Sequence, residues 1–494
     1  MNYISTRDSN KTKYTSAQVI KQGLASDGGL FVPESIPQLT AEDVNRLAGL
    51  DYIHRAADIL SHFLTDYTYD ELLSDCSEAY RESAFPGGAA PLRHVHDNIY
   101  SLELWHGPTA AFKDMALQLM PRLLVRALRK TGENRTALIL VATSGDTGKA
   151  ALEGYRDVDG VKIMVFYPVD GVSRVQKLQM ATQEGNNVNV CAIEGNFDDA
   201  QSGVKKIFSD KEFAEILDKQ NCFLSSANSI NWGRLVPQIV YYVSAYCDLI
   251  NMKKINNGEK VSFCVPTGNF GNIFAAYIAK LMGLPIDKLI CASNVNNILT
   301  DFLASGTYDR NRKFHVTMSP SMDILISSNL ERLLYFVAGS ERTADYMKQL
   351  SANGVYSIDP AEKVKIDETF VGFFANESST ADCIKNDFEK YGYLHDTHTA
   401  VGFDAAAQFL KDKDYTCPVV VDSTASPYKF AADVLSSLNG EKAIDPLEAL
   451  DKLSASTNTD IPYPLCGIAK RKVNFDKVIK AAEMSQAVLD YIKQ

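Results

Sequence analysis

The sequence has no C-x-x-C pair, although it carries nine cysteines. An odd and scattered set of thiols builds neither a disulfide framework nor a zinc site, and reads as reduced cysteine in a cytoplasmic protein. Its eight histidines form no H-E-x-x-H or comparable cluster. A metal-dependent mechanism therefore has no support, and no metal ligand is assigned. No apolar run approaches the ~18 residues that a membrane helix needs. The longest runs, such as Ala137 to Ala142, are strand-sized. The amino-terminal stretch MNYISTRDSNKTKY is polar and has no apolar core of signal-peptide length. Basic residues are outnumbered, 50 against 61 acidic ones, for a net charge of -11. That balance argues against a nucleic-acid or membrane-surface partner, and nothing in the chain implies an obligate protein partner. It also means that the global field repels anions, so an anionic substrate must be captured by local groups. Internal repeats and low-complexity segments are absent as well.

What is present is an α/β rhythm. At 494 residues the chain exceeds what one hydrophobic core usually holds, so two or three domains are expected. The first 90 or so residues are mixed. A helix is expected over Ser16 to Gly23, then a turn and an extended piece at Phe31-Val32-Pro33, then helical periodicity from Ala41 to Tyr80. The breaker cluster Phe85-Pro86-Gly87-Gly88 marks a boundary, giving an N-terminal mixed α/β domain over 1–90 and a core over 91–494. Beyond it, apolar runs begin at Ala137, Lys162 and Val188, so 25 and 26 residues apart. That is the length of a strand, a helix and their loops, and it predicts βαβ units in a parallel sheet flanked by helices. A smaller α/β subdomain is expected at about 135–225, with the remainder in the larger one. Further strands are expected at Val261 to Val265, Leu289 to Ala292 and Pro418 to Val421. The stretch Asn296 to Leu410 reads as mainly helical, and Val473 to Ile492 as a closing helix.

Three segments carry chemistry. In His106-Gly107-Pro108-Thr109-Ala110-Ala111-Phe112-Lys113-Asp114-Met115, a lysine follows a Gly/Pro loop and opens a helical segment between Phe112 and Met115. Apolar surroundings push a lysine toward the neutral amine, which can condense with an aldehyde; a solvated helix-start lysine is the plainer alternative. The loop Thr143-Ser144-Gly145-Asp146-Thr147-Gly148 joins hydroxyls and glycine amides to a helix start, which favours an anion or serves as a simple helix cap. Asp146 speaks against a phosphate in direct contact, and a carboxylate suits the loop better. The loop Pro266-Thr267-Gly268-Asn269-Phe270-Gly271-Asn272 lies between a strand and a helix, and its two glycines let the backbone aim N–H groups at one point. It is neither a Walker loop nor G-x-G-x-x-G, which leaves a single phosphate on a smaller cofactor. Asn228 to Arg234 adds an arginine suited to bidentate capture of phosphate or carboxylate, or to a surface ion pair.

In this order, in one α/β chain, these motifs resemble the fold type II pyridoxal-phosphate enzymes, the family of the tryptophan synthase β subunit, and within it the threonine synthases. The resemblance runs from Asp27-Gly28-Gly29-Leu30-Phe31-Val32-Pro33 to Ser423-Thr424-Ala425-Ser426-Pro427-Tyr428-Lys429-Phe430. It implies pyridoxal 5'-phosphate as cofactor, with Lys113 as its Schiff-base lysine and general base. The backbone of Gly268, Asn269, Phe270, Gly271 and Asn272 would cradle the cofactor phosphate, and the Thr424 hydroxyl would meet the pyridine nitrogen. Ser144, Gly145, Asp146 and Thr147 would lie beside the substrate carboxylate, and Lys177, Asn228 and Arg234 would face the substrate phosphate. The implied reaction turns O-phospho-L-homoserine and water into L-threonine and phosphate, by γ-elimination and β-addition of water. Ser426 stands where some bacterial relatives have histidine, which leaves its role open. A related lyase of the serine/threonine dehydratase kind, which needs no pocket for a substrate phosphate, and a catalytically silent member of the fold are the alternatives.

Overall fold

The computed structural model describes residues 1–143, 145–169, 172–411, 415–440 and 445–493. Near the N-terminus, strand β1 (Tyr3–Ser5) pairs antiparallel with β2 (Phe31–Pro33). Helices α1 (Ser16–Gln22), α2 (Ala41–Ala48), α3 (Tyr52–Phe63) and α4 (Tyr69–Ala79) accompany them. Thr15, Thr40 and Thr68 each start a helix with a reciprocal capping box, which satisfies the first free amides and fixes where α1, α2 and α4 begin.

Next come the hairpin β3 (Leu92–His96) and β4 (Ile99–Glu103), then α5 (Lys113–Leu117) and α6 (Met120–Lys130). The alternation β5 (Thr136–Ala142), α7 (Asp146–Tyr155), β6 (Val161–Pro168), α8 (Arg174–Ala181), β7 (Val188–Glu194), α9 (Phe197–Ser209), α10 (Lys211–Lys219), β8 (Cys222–Ser225) follows. The buried helix α11 (Trp232–Asn251) leads into β9 (Val261–Pro266), α12 (Gly271–Leu281) and β10 (Ile286–Ser293). A small antiparallel pair of β11 (Thr307–Asp309) and β12 (Val355–Ser357) comes next, then β13 (Phe370–Phe374), β14 (Val419–Ser423) and finally β15 (Val478–Lys480).

Two sheets result. The larger has the order β13-β10-β9-β14-β4-β3 and is parallel except for the β3–β4 hairpin. The smaller, β15-β7-β6-β5-β8, is parallel throughout. Strands covered on both faces read as continuous apolar runs, which is why the central strands were visible in the sequence.

One expectation needs correction. The C-terminal stretch is not one helix from Val473. It contributes the edge strand β15, then a short helix at Met484–Ile492, and both pack on the smaller sheet through Ile479, Met484, Val488 and Tyr491. The smaller sheet is thus completed by residues far beyond 225, because β7 offers a free edge and the final helix an apolar face to cover it. The stretch from Asn296 to Leu410 is mainly helical, but β13 within it forms an edge of the larger sheet.

Candidate functional site

Lys113 is placed by a strained approach. Ala110 adopts a left-handed backbone (φ 59°), which is costly for a residue with a Cβ and persists only where its surroundings enforce it. Here the chain is zipped to the segment after β14. The Phe112 amide donates to the Thr424 carbonyl at 2.8 Å, and the Ser426 amide to the Ala110 carbonyl at 3.0 Å. Lys113 then opens α5 with its side chain only 12% exposed and its ammonium 4.8 Å from the Phe112 ring centroid. Burial pulls its pKa down to about 8 against the opposing pull of Asp146, with Arg234 and Lys429 adding to the depression. At that pKa roughly a tenth of the amine is neutral at pH 7, far more than a solvated lysine offers.

Asp146 lies opposite, at the start of α7. Its Oδ2 is 3.8 Å from Lys113 Nζ, while Oδ1 accepts from Lys429 Nζ at 2.7 Å and from Gln176 Nε2 at 2.7 Å. Burial opposes ionisation there, but the two lysines and Gln176 override it and hold the carboxyl far below its usual range. Gly145, at φ 142°, is packed so closely that a Cβ would sit 2.5 Å from the Gln176 side chain. Ser144 lies outside the described residues.

Thr147 reaches the same centre from α7, with Oγ1 3.5 Å from Arg234 Nη2. Arg234, near the start of α11, is 6% exposed and donates through Nη1 to the Ala227 carbonyl at 2.8 Å. Among the described residues no carboxylate pairs with it, and burial lowers its pKa to about 10. A buried guanidinium without a counter-ion is an anion site in waiting. Asn228 is half-buried in the loop that leads into α11. Its neighbour Ser229 approaches the 268–272 loop, 3.8 Å from where a Cβ on Gly271 would be. Lys177 is not brought in by any contact among the described residues. α8 turns Gln176 and Gln179 toward the centre, and Lys177 is half-buried roughly 100° around the helix from Gln176.

The 268–272 loop ends β9 and starts α12. The left-handed residue is Phe270 (φ 61°), so the two glycines are needed for their smallness, not for positive φ. A Cβ on Gly268 would lie 2.8 Å from the Ser321 carbonyl oxygen. No side chain caps α12, and among the described residues the amides of Gly268, Asn269, Phe270 and Gly271 find no acceptor. Free amides at a helix N-terminus, with no Cβ in the way, fit a phosphate group. The Asn272 side chain is engaged beneath the loop: Nδ2 donates to Asp422 Oδ2 at 2.9 Å, and Oδ1 accepts from Tyr242 at 2.7 Å and from Tyr241. Burial raises the Asp422 pKa to about 7. Thr424, two residues on, is 5% exposed, and among the described residues its hydroxyl has no partner. A free hydroxyl on the segment zipped to the Lys113 loop fits a pyridine nitrogen.

Sequence reasoning missed Lys429, Gln176 and Asp422. Lys429 carried a related signal, a lysine between Tyr428 and Phe430 just past a strand, as Lys113 lies between Phe112 and Met115. Ser426, left open, has a structural role: its hydroxyl accepts from the Tyr428 amide at 3.3 Å and caps the 3₁₀ turn that presents Lys429. Away from this centre the structure gathers Cys383, Asp387 and His395, with ligand atoms within 4.8 Å of one another. His395 Nε2 is 2.8 Å from Asp387 Oδ2, and burial holds the Cys383 thiol well above its usual range, as suits a hydrogen-bonded pair beside a neutral thiol.

The chain matches three family models: "Threonine synthase N terminus" over residues 2–80, "Pyridoxal-phosphate dependent enzyme" over 88–421, and "Threonine synthase, C-terminal" over 399–489. It is 39% identical over 457 residues to threonine synthase of Pseudomonas aeruginosa, covering 91% of this chain and 93% of that one. It is 42% identical over 438 residues to human threonine synthase-like 1, covering 86% of this chain but only 58% of the relative's length. Two solved structures align over all of this chain. PLP-bound threonine synthase from Brucella melitensis does so at 37% identity, a TM-score of 0.88 and 100% coverage of that chain. Yeast threonine synthase does so at 34% identity, a TM-score of 0.89 and 98% coverage.

Proposed function

Because the chain belongs to the threonine synthase family of pyridoxal-phosphate dependent enzymes, we propose that it binds pyridoxal 5'-phosphate and converts O-phospho-L-homoserine and water into L-threonine and phosphate. The observation that carries this reading is the presence of two anion sites beside one buried lysine of lowered pKa. One is the set of free amides at Gly268 to Gly271; the other is the buried, counter-ion-free Arg234. A cofactor phosphate and a substrate phosphate need one each. A dehydratase acting on serine or threonine has no use for the second.

When bound, the cofactor supplies the electron sink that makes protons on the substrate carbon chain acidic. The protein's part is to hold and direct. Lys113 Nζ is the amine that holds the cofactor aldehyde. Once freed, it takes the proton from Cα and a proton from Cβ, and returns protons at the end. A pKa of about 8 lets one amine serve both as acceptor and donor. Thr424 offers a neutral hydroxyl to the pyridine nitrogen, which leaves the ring a milder sink than a carboxylate would, so geometry governs which bond breaks. The loop of Gly145, Asp146 and Thr147 receives the substrate carboxylate through the Asp146 and Thr147 amides and the Thr147 hydroxyl, while the Gly145 amide is held by the Thr143 hydroxyl at 3.0 Å; Ser144 belongs to the same assignment. Arg234 grips the departing phosphate, with Asn228 beside it, and Lys177 adds long-range positive charge. An unphosphorylated surface anion would gain less from such a pocket. The soluble substrate and nine unpaired cysteines suit an aqueous reducing compartment, the cytoplasm.

Two measurements test the reading. Borohydride reduction of the cofactor-saturated protein should place the cofactor on the Lys113 peptide. A substrate panel should give turnover with O-phospho-L-homoserine at least a hundredfold above serine or threonine, roughly the discrimination expected when a buried charged site is left unpaired. Equal turnover of serine would favour the dehydratase alternative.

A further inference from the structure

Lys429 has no assigned role, yet its side chain is fully buried. It reaches the site from the 3₁₀ turn Pro427–Phe430 that follows β14. Its ammonium donates to Asp146 Oδ1 at 2.7 Å and to the Thr109 carbonyl at 3.0 Å. Thr109 in turn belongs to the loop that presents Lys113, and its amide and hydroxyl both donate to Asp114 at 2.8 Å. Asp146 is therefore one negative charge shared by two lysines, and it is drawn to the second. Its contact with Lys113 is 1.1 Å longer, 3.8 against 2.7 Å. Gln176 holds the same oxygen from α8 and prevents the carboxylate from swinging.

We propose that Lys429 is a positioning residue for Lys113: by tying Asp146 to itself, it keeps that carboxylate from closing into a dedicated ion pair with the Schiff-base amine. This rests on the reading of Lys113 as the amine that holds the cofactor. The charged groups that face Lys113 are Asp146 on α7, Arg234 on α11, Lys429 on the 3₁₀ turn and Asp114 on its own helix. Of these, only Asp146 could neutralise the ammonium at short range, and Lys429 occupies it. A dedicated pair would favour the protonated amine, which neither condenses with an aldehyde nor accepts a proton.

The test reads the amine without turnover. Full-length protein freed of cofactor is labelled with acetic anhydride across a pH series, and the Lys113 peptide is quantified by mass spectrometry. Wild type should show a midpoint near pH 8. Lys429→Met should move the midpoint up by about one pH unit or more, so that at least about fivefold less Lys113 is labelled at pH 8. Lys429→Arg, which keeps the charge on Asp146, should restore the wild-type midpoint. Asp146→Asn should move it the opposite way, below wild type, and supplies the sign if Lys429→Met does not fold. An unchanged or lowered midpoint in folded Lys429→Met, or a raised one in Asp146→Asn, overturns the proposal. Failure of borohydride to attach cofactor to Lys113 in wild type would instead refute the underlying functional reading, leaving the labelling midpoints unaffected.

Discussion

Replacing Arg234 by alanine should separate two effects that usually travel together: it should damage catalysis severely and the fold hardly at all. Arg234 is 6% exposed and burial depresses its pKa from the ordinary guanidinium range to about 10. Holding that charge costs about 3 kcal/mol at neutral pH. The sign is that of a base whose folded pKa lies below its unfolded one: the penalty is full below pH 10 and fades as pH rises beyond it. Removing the side chain relieves this penalty. It also loses the hydrogen bond to Ala227 and the packing of the stem, roughly 1–3 kcal/mol. The two nearly cancel, so chemical denaturation of cofactor-saturated Arg234→Ala should give a stability within about 2 kcal/mol of wild type. The same truncation at a buried paired arginine costs about 3–5 kcal/mol. Against substrate there is no cancellation. Loss of a desolvated contact to a phosphate should lower kcat/KM by about 2–5 kcal/mol, or roughly 30- to 5,000-fold. Arg234→Lys should recover only part, since it keeps the charge and loses the fork. Cofactor affinity should not change. If Arg234→Ala unfolds the protein while kcat/KM in the folded fraction survives, the guanidinium is structural. If cofactor binding falls and the substrate constant holds, the two phosphates have been assigned to the wrong sites.

Lys113→Ala should reduce turnover at least about a thousandfold, in line with the loss of a general base. In wild type the rate of cofactor capture should rise about tenfold from pH 7 to pH 9 as the amine with a pKa of about 8 loses its proton, and then level off; stopped-flow absorbance measures it. Gly268→Val should weaken cofactor affinity in a fluorescence titration, because its Cβ would press on the Ser321 carbonyl from 2.8 Å; an unchanged constant would remove this loop from the site. Asp422, a buried acid whose pKa is raised to about 7, makes wild type gain stability as pH falls from 7.5 to 5.5. Asp422→Asn should lose that gain and be no less stable than wild type above pH 7, as urea titrations at both pH values would show.

The central strands and the three loops were legible in the sequence because each depends on local pattern. Strands buried on both faces are unbroken apolar runs, and an anion loop is a short string of Gly, Ser, Thr and Asn at a strand-to-helix junction. β15 was not legible. Val478-Ile479-Lys480 is too short to carry a period, and it becomes a strand only because β7 presents an edge to it. The Lys429–Asp146 pair was hidden for a different reason. Its members lie on different sheets' connections, and only the fold makes them neighbours. Asn272 shows a third limit: its place in the loop was readable, but not that its side chain turns down to Asp422.

The central claim is that this protein breaks the Cγ–O bond of O-phospho-L-homoserine and adds water at Cβ. Turnover of that substrate by the cofactor-saturated protein in ¹⁸O-labelled water distinguishes this from simple phosphate hydrolysis. The account predicts threonine carrying one ¹⁸O in its hydroxyl and phosphate carrying none, because the departing phosphate keeps its bridging oxygen. Homoserine without label, together with ¹⁸O-phosphate, would mean cleavage at phosphorus and would contradict it.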